Sequence, residues 1–169
     1  MPRSRGKFVE TTAFVDASFD QNKKNRKSHT GYVILANRAP ILWYSKQQKT
    51  VETSAFSAKH IALKVCVEAT EGLRYKLRMF GVPLRGERDH DNEPTCIYCD
   101  NKSVVSNGMR VESTMDKKHV SIAYHFTRFC VAAGIIALSW IDGRENIADV
   151  LTKRLPENVQ NFLFGDWTY

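Results

Sequence analysis

Residues 11–20 read TTAFVDASFD, a short run of β-branched and aromatic side chains that predicts a strand ending close to Asp16. Two further strand-like runs follow, GYVILAN at 31–37 and APILWYS at 39–45, and a tight turn joins them. The polar, basic segment between the first two runs reads as a hairpin loop. The chain is therefore expected to begin with three antiparallel strands.

Beyond these strands the pattern alternates between helices and strands. Ser54 is the predicted N-cap of a long helix that ends near Phe80. The later elements are a strand at 95–100, a helix at 101–108 stopped by Gly108, a helix at 119–134, a strand at 135–141 and a last helix at 146–155. This order predicts a mixed α/β sheet with helices on both faces, in which strand four lies parallel to strand one after a right-handed crossover.

The length of 169 residues suits about one domain. We expect a loose lead-in at 1–11, a folded domain at 12–155 and a C-terminal tail at 156–169. The formal net charge of +7 points to an anionic partner such as nucleic acid, or to an ordinary solvated basic surface; charge alone favours neither.

The chain shows no signal peptide and no apolar run long enough to span a membrane. Cys96 and Cys99 form a C-x-x-C pair, but no second Cys/His pair completes a zinc site, and a strand would point them to opposite faces. The four cysteines are therefore interpreted as reduced thiols, and the protein as intracellular, cytoplasmic or nuclear, and not secreted.

Three aspartates are the candidate metal ligands. Asp16 falls on strand one, Asp100 at the end of strand four and Asp149 in the last helix, so all three can converge at one edge of the sheet. Oxygen ligands of this kind favour Mg²⁺ or Mn²⁺, and a pair of such ions can activate water for phosphodiester hydrolysis. Singly, each aspartate is more simply a strand-end or surface residue; their joint placement favours the site.

Six stretches of the chain together resemble the ribonuclease H domain of Ty1/copia-type retrotransposon Pol polyproteins. They occur in that family's order over roughly residues 12–155: FVDAS, RKSHTGYVI, PILWYSKQQKTV, CDNKSV, KKHVSIAYHFTR and IADVLTKRL. The resemblance implies a ribonuclease H-like fold, with three antiparallel strands and two parallel additions flanked by helices. It further implies metal-dependent cleavage of RNA–DNA hybrid by three aspartates and a glutamate, and possible linkage to a reverse transcriptase domain of the same polyprotein.

The family's glutamate is missing from this chain. The resemblance aligns the family motif SSTEAEY with SAFSAKH at 54–60, which puts the catalytic glutamate on Ser57, a second glutamate on Lys59 and a tyrosine on His60. A neutral hydroxyl cannot neutralise a cation, so we expect hydrolysis to be impaired. Helical geometry turns Lys59 about 200° from Ser57, which favours a Lys59 that faces solvent or a substrate-side rim. A Lys59 that points at the site could instead partly replace a metal ion and favour nucleic-acid binding without cleavage.

Basic and polar residues supply the candidate nucleic-acid contacts, because cationic and hydroxyl side chains suit phosphates. Trp43 and Tyr44 are expected to line the same approach. The candidates are Lys23, Lys24, Arg26, Lys27, Ser28, Lys46, Gln47, Lys118 and His119, with Lys117 and Arg128 near the last two.

Three functions stay open from the sequence. The chain is a weakened or inactive retrotransposon-type ribonuclease H domain, a non-catalytic nucleic-acid-binding or scaffold module with the same fold, or an active nuclease that uses three aspartates.

Overall fold

The computed structural model describes residues 8–19, 26–84, 93–110 and 121–164. Within these ranges the chain forms one sheet with strand order β3-β2-β1-β4-β5. The strands are β1 (Thr11–Ser18), β2 (His29–Ala36), β3 (Ala39–Gln47), β4 (Thr95–Cys99) and β5 (Ile136–Trp140). Strands β1, β2 and β3 pair antiparallel, whereas β4 pairs parallel with β1 and with β5, which confirms the predicted mixed sheet.

Alternating side chains divide the sheet into two packed faces. Ala13, Val15 and Ile97 belong to the larger core, on the side of the long helix. Val33 and Leu35 belong to a smaller core on the opposite side, under Ile147. Helical segments therefore cover both faces, as predicted.

Four α-helices and one 3-10 helix are formed by the described residues. They are α1 (Ala55–Met79), α2 (Lys102–Met109), α3 (Ser121–Ala132), the 3-10 helix Ile147–Leu151 and α4 (Glu157–Phe164). Ser54 caps α1 as predicted, since its side chain accepts a hydrogen bond from the Ser57 amide. None of these helices is both long enough and apolar enough to cross a membrane.

Three local predictions were wrong. Gly108 does not end α2, which continues to Met109. Gly108 is buried against Leu138, and a Cβ at this position would lie only 2.4 Å from Leu138 Cδ1. The apolar pattern of the helix at 119–134 predicts that Ile122 and Ala123 both face the core, but only Ala123 is buried, whereas Ile122 is 81% exposed. The segment carrying Asp149 is a short 3-10 helix at Ile147–Leu151 and is not the last helix, because α4 follows it within the predicted tail.

The turn between β2 and β3 fixes their register. Asn37 and Arg38 both have positive φ, 49° and 72°, as a two-residue hairpin turn requires. The Asn37 side chain also accepts a hydrogen bond from the Glu10 amide at 2.9 Å. The predicted tight turn is therefore confirmed.

Candidate active site

Strand pairing brings Asp16 and Asp100 together. Val15 pairs with Cys99 across the parallel β1–β4 ladder, so Asp16 and Asp100 are the next residues along two adjacent strands. Asp16 is buried and Asp100 is partly exposed. The convergence predicted from the sequence is present at this edge of the sheet.

The 3-10 helix brings Asp149 to the same point. Carboxylate oxygens of Asp16, Asp100 and Asp149 lie within 4.8 Å of one another, and this cluster could hold a metal ion. The buried Asn146 caps the 3-10 helix by accepting from the Ala148 amide and donates to the Val15 carbonyl at 3.1 Å. One side chain thus ties the Asp149 segment to the strand that carries Asp16.

A glycine allows the 3-10 helix to approach the sheet. Gly31 pairs with Asp16, and a Cβ at Gly31 would lie 2.6 Å from Thr152 Cγ2 and 2.8 Å from Leu151 Cβ. The Ser45 hydroxyl donates to the Leu151 carbonyl at 2.7 Å, which fixes the segment to β3 as well. No side chain larger than hydrogen fits at position 31 without moving the Asp149 segment.

Two lysines reach the three carboxylates. The Lys59 ammonium donates to both oxygens of Asp100, at 2.6 Å for Oδ2, and lies 3.1 Å from Asp16 Oδ1. The Lys153 ammonium lies 2.8 Å from Asp149 Oδ2 and 3.4 Å from Asp16 Oδ2. The prediction that Lys59 faces solvent or a rim was wrong, since its side chain is only 15% exposed.

The direction of Lys59 follows from how α1 packs. Residues three apart share a helix face, and His60, three after Ser57, packs against Tyr124 of α3 at 6.1 Å between rings. Lys59 lies on a different face, which is placed against the sheet by its contacts with Asp16 and Asp100 and by the buried Ala62. The predicted rotation between Ser57 and Lys59 was sound, but α1 is buried on both of these faces.

Ser57 makes a local contact at the start of α1. It is fully buried, and its hydroxyl lies 3.0 Å from the Ser54 hydroxyl. The assignment of the lost glutamate to Ser57 stays a prediction. His60 is also fully buried, between Phe56 and Tyr124, which places it in the core rather than on a substrate surface.

The lysines set the ionisation of the buried aspartates. Burial opposes the charge on Asp16, but Lys59, Lys153 and the Thr152 hydroxyl outweigh it and lower the pKa of Asp16. Burial raises the pKa of Asp149 to about 6, and Asp16 adds to this effect while Lys153 opposes it. Burial likewise disfavours the charged lysines, yet the facing carboxylates raise the pKa of both.

Comparisons with known proteins agree with this geometry. No family model matches the chain. The retrovirus-related Pol polyprotein from transposon TNT 1-94 of Nicotiana tabacum is 31% identical over 86% of this chain. LC11-RNase H1 in complex with RNA/DNA hybrid superposes with a TM-score of 0.59 at 16% identity, covering 85% of this chain and 94% of that one. The foamy viral protease-reverse transcriptase in complex with RNA/DNA hybrid gives 0.56 at 14% identity, covering 90% of this chain and 21% of that one.

The chain is a relative of Ty1/copia-type Pol polyproteins and has the ribonuclease H fold. It spans only 10% of the length of the Pol polyprotein that it matches. The resemblance drawn from the sequence motifs is confirmed, and so is the five-stranded mixed sheet.

The predicted nucleic-acid contacts of this ribonuclease H-like domain separate into three groups. Lys23, Lys24, Lys117, Lys118 and His119 lie outside the described residues. Arg26 and Lys46 are exposed, and Lys27 and Gln47 are half-buried. Ser28 is a correction: it is fully buried, and its carbonyl accepts from the Gln48 amide, so it is not placed on a contact surface.

The two aromatic residues predicted to line the nucleic-acid surface differ in exposure and point to different faces of the sheet. Trp43 is 65% exposed, whereas Tyr44 is half-buried and stacks on Tyr32 with ring centroids 5.3 Å apart. Neighbouring strand residues point to opposite faces, so the two cannot line one surface. Their assignment to the approach stays a prediction, and at most one of the two lies on the surface that approaches nucleic acid. Arg128 donates to the Tyr124 hydroxyl at 2.6 Å.

The residues of the site offer the oxygen ligands that a divalent ion prefers, but their net charge does not suit such ions. Three carboxylates are hard oxygen ligands, and the buried Asp149 Oδ1 has no hydrogen-bond partner among the described residues. The Lys59 ammonium, however, already contacts Asp16 and Asp100. Three carboxylates and two ammonium groups leave a net charge of −1, which does not fit a pair of divalent ions.

Proposed function

We propose that this chain is a ribonuclease H-like domain that binds RNA–DNA hybrid and hydrolyses it poorly or not at all. The observation that carries the proposal is the Lys59 ammonium between Asp16 and Asp100, in a fold whose relatives include an enzyme bound to hybrid. A tethered ammonium neutralises the carboxylates without activating water. Binding of a polyanion is therefore retained while hydrolysis is impaired.

Exposed cations around the carboxylates support hybrid binding. Lys46 is exposed and follows Ser45, which contacts the Asp149 segment. Lys102 lies two residues after Asp100 and its ammonium is 4.3 Å from the Trp140 ring centroid, and Arg154 is exposed beside Lys153. Such cations bind phosphates and displace counterions from the nucleic acid.

Mg²⁺ or Mn²⁺ is the cofactor that this donor set favours by type, held weakly because of the lysines. A reverse transcriptase domain is the partner that the similarity to the foamy viral protease-reverse transcriptase suggests. An intracellular location agrees with four free thiols at Cys66, Cys96, Cys99 and Cys130.

The proposal is tested with a short fluorescent RNA–DNA hybrid and a DNA duplex of the same sequence. We expect anisotropy to report hybrid binding that weakens with salt, and gels to show no cleavage in Mg²⁺ or Mn²⁺. Absence of hybrid binding would refute the proposed ligand. Robust cleavage that Asp100→Asn abolishes would instead support an active nuclease with three aspartates.

The alternative is a binding or scaffold module that has no residual chemistry. The same Lys59 contact favours it, because the lysine stabilises the pocket without a metal ion. Binding without cleavage in both the unaltered protein and Lys59→Glu would support this alternative.

A further inference from the structure

We infer that Lys59 is a built-in cation that occupies the place of a divalent ion between Asp16 and Asp100, so that the residue at position 59 controls whether this metal site is open. The inference deepens the proposed function and rests on the same site. It differs from the reading of Ser57 as the decisive change: the fourth corner of the pocket belongs to position 59.

The first support is the set of contacts that Lys59 makes. Its ammonium bridges carboxylates from two different strands, with Asp100 Oδ2 at 2.6 Å and Asp16 Oδ1 at 3.1 Å. An ion shared by the two aspartates would have to lie in the same volume. A divalent ion and the Lys59 ammonium therefore cannot both occupy this position.

The second support is the burial of Ser57 and the contact that its hydroxyl makes. Ser57 is fully buried and its hydroxyl contacts Ser54, while His60, three residues further along the helix, packs against Tyr124 of α3. A glutamate there would have to displace core residues before it could reach the aspartates. A glutamate at position 59 would replace a side chain that already ends between Asp16 and Asp100.

The third support is competition between a tethered and a free cation. A group held by the chain acts at an effective concentration that is on the order of millimolar. The Lys59 ammonium is additionally held by α1, whose core-facing residues Ala62, Leu63 and Cys66 are fully buried. A free divalent ion must displace the Lys59 ammonium and bind where the three carboxylates and two ammonium groups have a net charge of only −1.

The remaining lysine does not close the pocket in the same way. Lys153 pairs chiefly with Asp149, four residues before it on the same segment, and is 32% exposed against 15% for Lys59. Asp149 Oδ1 stays without a hydrogen-bond partner among the described residues. Removing Lys59 therefore frees two carboxylates, and the unpartnered oxygen of Asp149 completes a three-sided site.

The experiment titrates Mn²⁺ alone, without nucleic acid, into the whole chain and four variants: Lys59→Glu, Lys59→Gln, Ser57→Glu and Lys64→Gln. Calorimetry measures binding, and circular dichroism verifies folding. We expect Lys59→Glu to bind Mn²⁺ at least roughly 10-fold more tightly than the unaltered protein, a factor equal to about 1.4 kcal/mol. Lys59→Gln is expected to gain less, and Lys64→Gln, a control on the same helix, to gain nothing.

Two results would overturn the inference. One is Mn²⁺ binding by the unaltered protein as tight as by Lys59→Glu. The other is a folded Ser57→Glu that gains Mn²⁺ while neither Lys59 variant does. If Lys59→Glu fails to fold, Lys59→Gln decides in its place. Because no hybrid is present, failure to bind hybrid would refute the proposed function and leave this result standing.

Discussion

The two lysines at the carboxylate cluster come from opposite sides of the sheet and do different things. Lys153 arises from the 3-10 helix segment and pairs mainly with Asp149 of the same segment. Lys59 arises from α1 and joins Asp16 to Asp100 across two strands. The ammonium group of Lys153 is thus a contact at the rim of the site, whereas that of Lys59 lies at its centre. Its effect depends on which carboxylates it joins.

The largest expected effect tests whether Lys59 stabilises the fold. Lys59→Ala leaves the buried Asp16 with Lys153 as its remaining cation among the described residues, and breaking a buried pair costs about 3–5 kcal/mol. We expect a loss of free energy of unfolding towards the lower end of that range in urea at neutral pH. Lys64→Ala is the control, since its pair with Glu68 is a surface i,i+4 contact at 2.6 Å worth roughly 0.3–0.5 kcal/mol. Equal losses in the two variants would contradict the central role of Lys59.

A second prediction concerns acid sensitivity away from the site. Burial lowers the pKa of His60 to about 4, against 6.5 in its unperturbed state, and neither ring nitrogen has a hydrogen-bond partner among the described residues. The unfolded chain therefore binds the extra proton, and stability is lost as pH falls from about 6.5 towards 4, by up to about 3 kcal/mol.

Asp149 changes the pH dependence of stability in the opposite direction to His60, because its pKa is raised from 3.8 to about 6. Its contribution is present below pH 3.8 and is lost as pH rises through about 6. We therefore expect His60→Phe to be less acid-sensitive than the unaltered protein when urea midpoints are compared between pH 7 and pH 4.5. An unchanged difference between the two pH values would show that His60 is not the titrating group.

The third prediction tests how the Asp149 segment is held. Gly31→Ala places a methyl group against Thr152 and Leu151, and overpacking of this kind costs about 1–3 kcal/mol. Gly72→Ala in α1 is the matched control, because nothing lies within 4 Å of its Cβ and alanine favours helices. Chemical denaturation is expected to show a loss at position 31 and a small gain at position 72. Equal effects would mean that close approach at Gly31 is unimportant.

The smallest expected effect concerns the nucleic-acid surface. Lys46→Ala is expected to weaken hybrid binding a few-fold and to reduce the salt dependence by about one counterion. Lys76→Ala is the control, since Lys76 is exposed 17 residues along α1 from Lys59, about 26 Å at 1.5 Å per residue. Matching salt slopes for the two variants would remove Lys46 from the interface.

The strands were predictable because their signals are local. Runs of β-branched and aromatic side chains indicate β1, β2 and β3, and the parallel return of β4 follows from the crossover rule. Ser54 likewise indicates the start of α1 through its cap.

The site was predictable only in part. The three aspartates could be brought together from the topology, because strand ends of adjacent parallel strands share an edge. The side of α1 that faces the aspartates could not be predicted, because α1 packs on two sides and the sequence does not distinguish the face against the sheet from the face against α3. A lysine two residues from an expected acid, with Ala62, Leu63 and Cys66 continuing its face, was the available signal.

Ser28 illustrates a second limit. A serine beside Lys27 in a basic segment reads as a phosphate contact, but Gln48 pairs with the Ser28 carbonyl and closes the end of the hairpin over it. Burial of this kind depends on residues 20 positions away, which local composition does not encode.

The most direct measurement is a crystal structure of the unaltered protein soaked in Mn²⁺, with ions located by anomalous scattering. We predict that the Lys59 ammonium stays within hydrogen-bond distance of Asp16 and Asp100 and that no ion lies between them. A Mn²⁺ ion bridging these two aspartates, with Lys59 turned to solvent, would contradict the account.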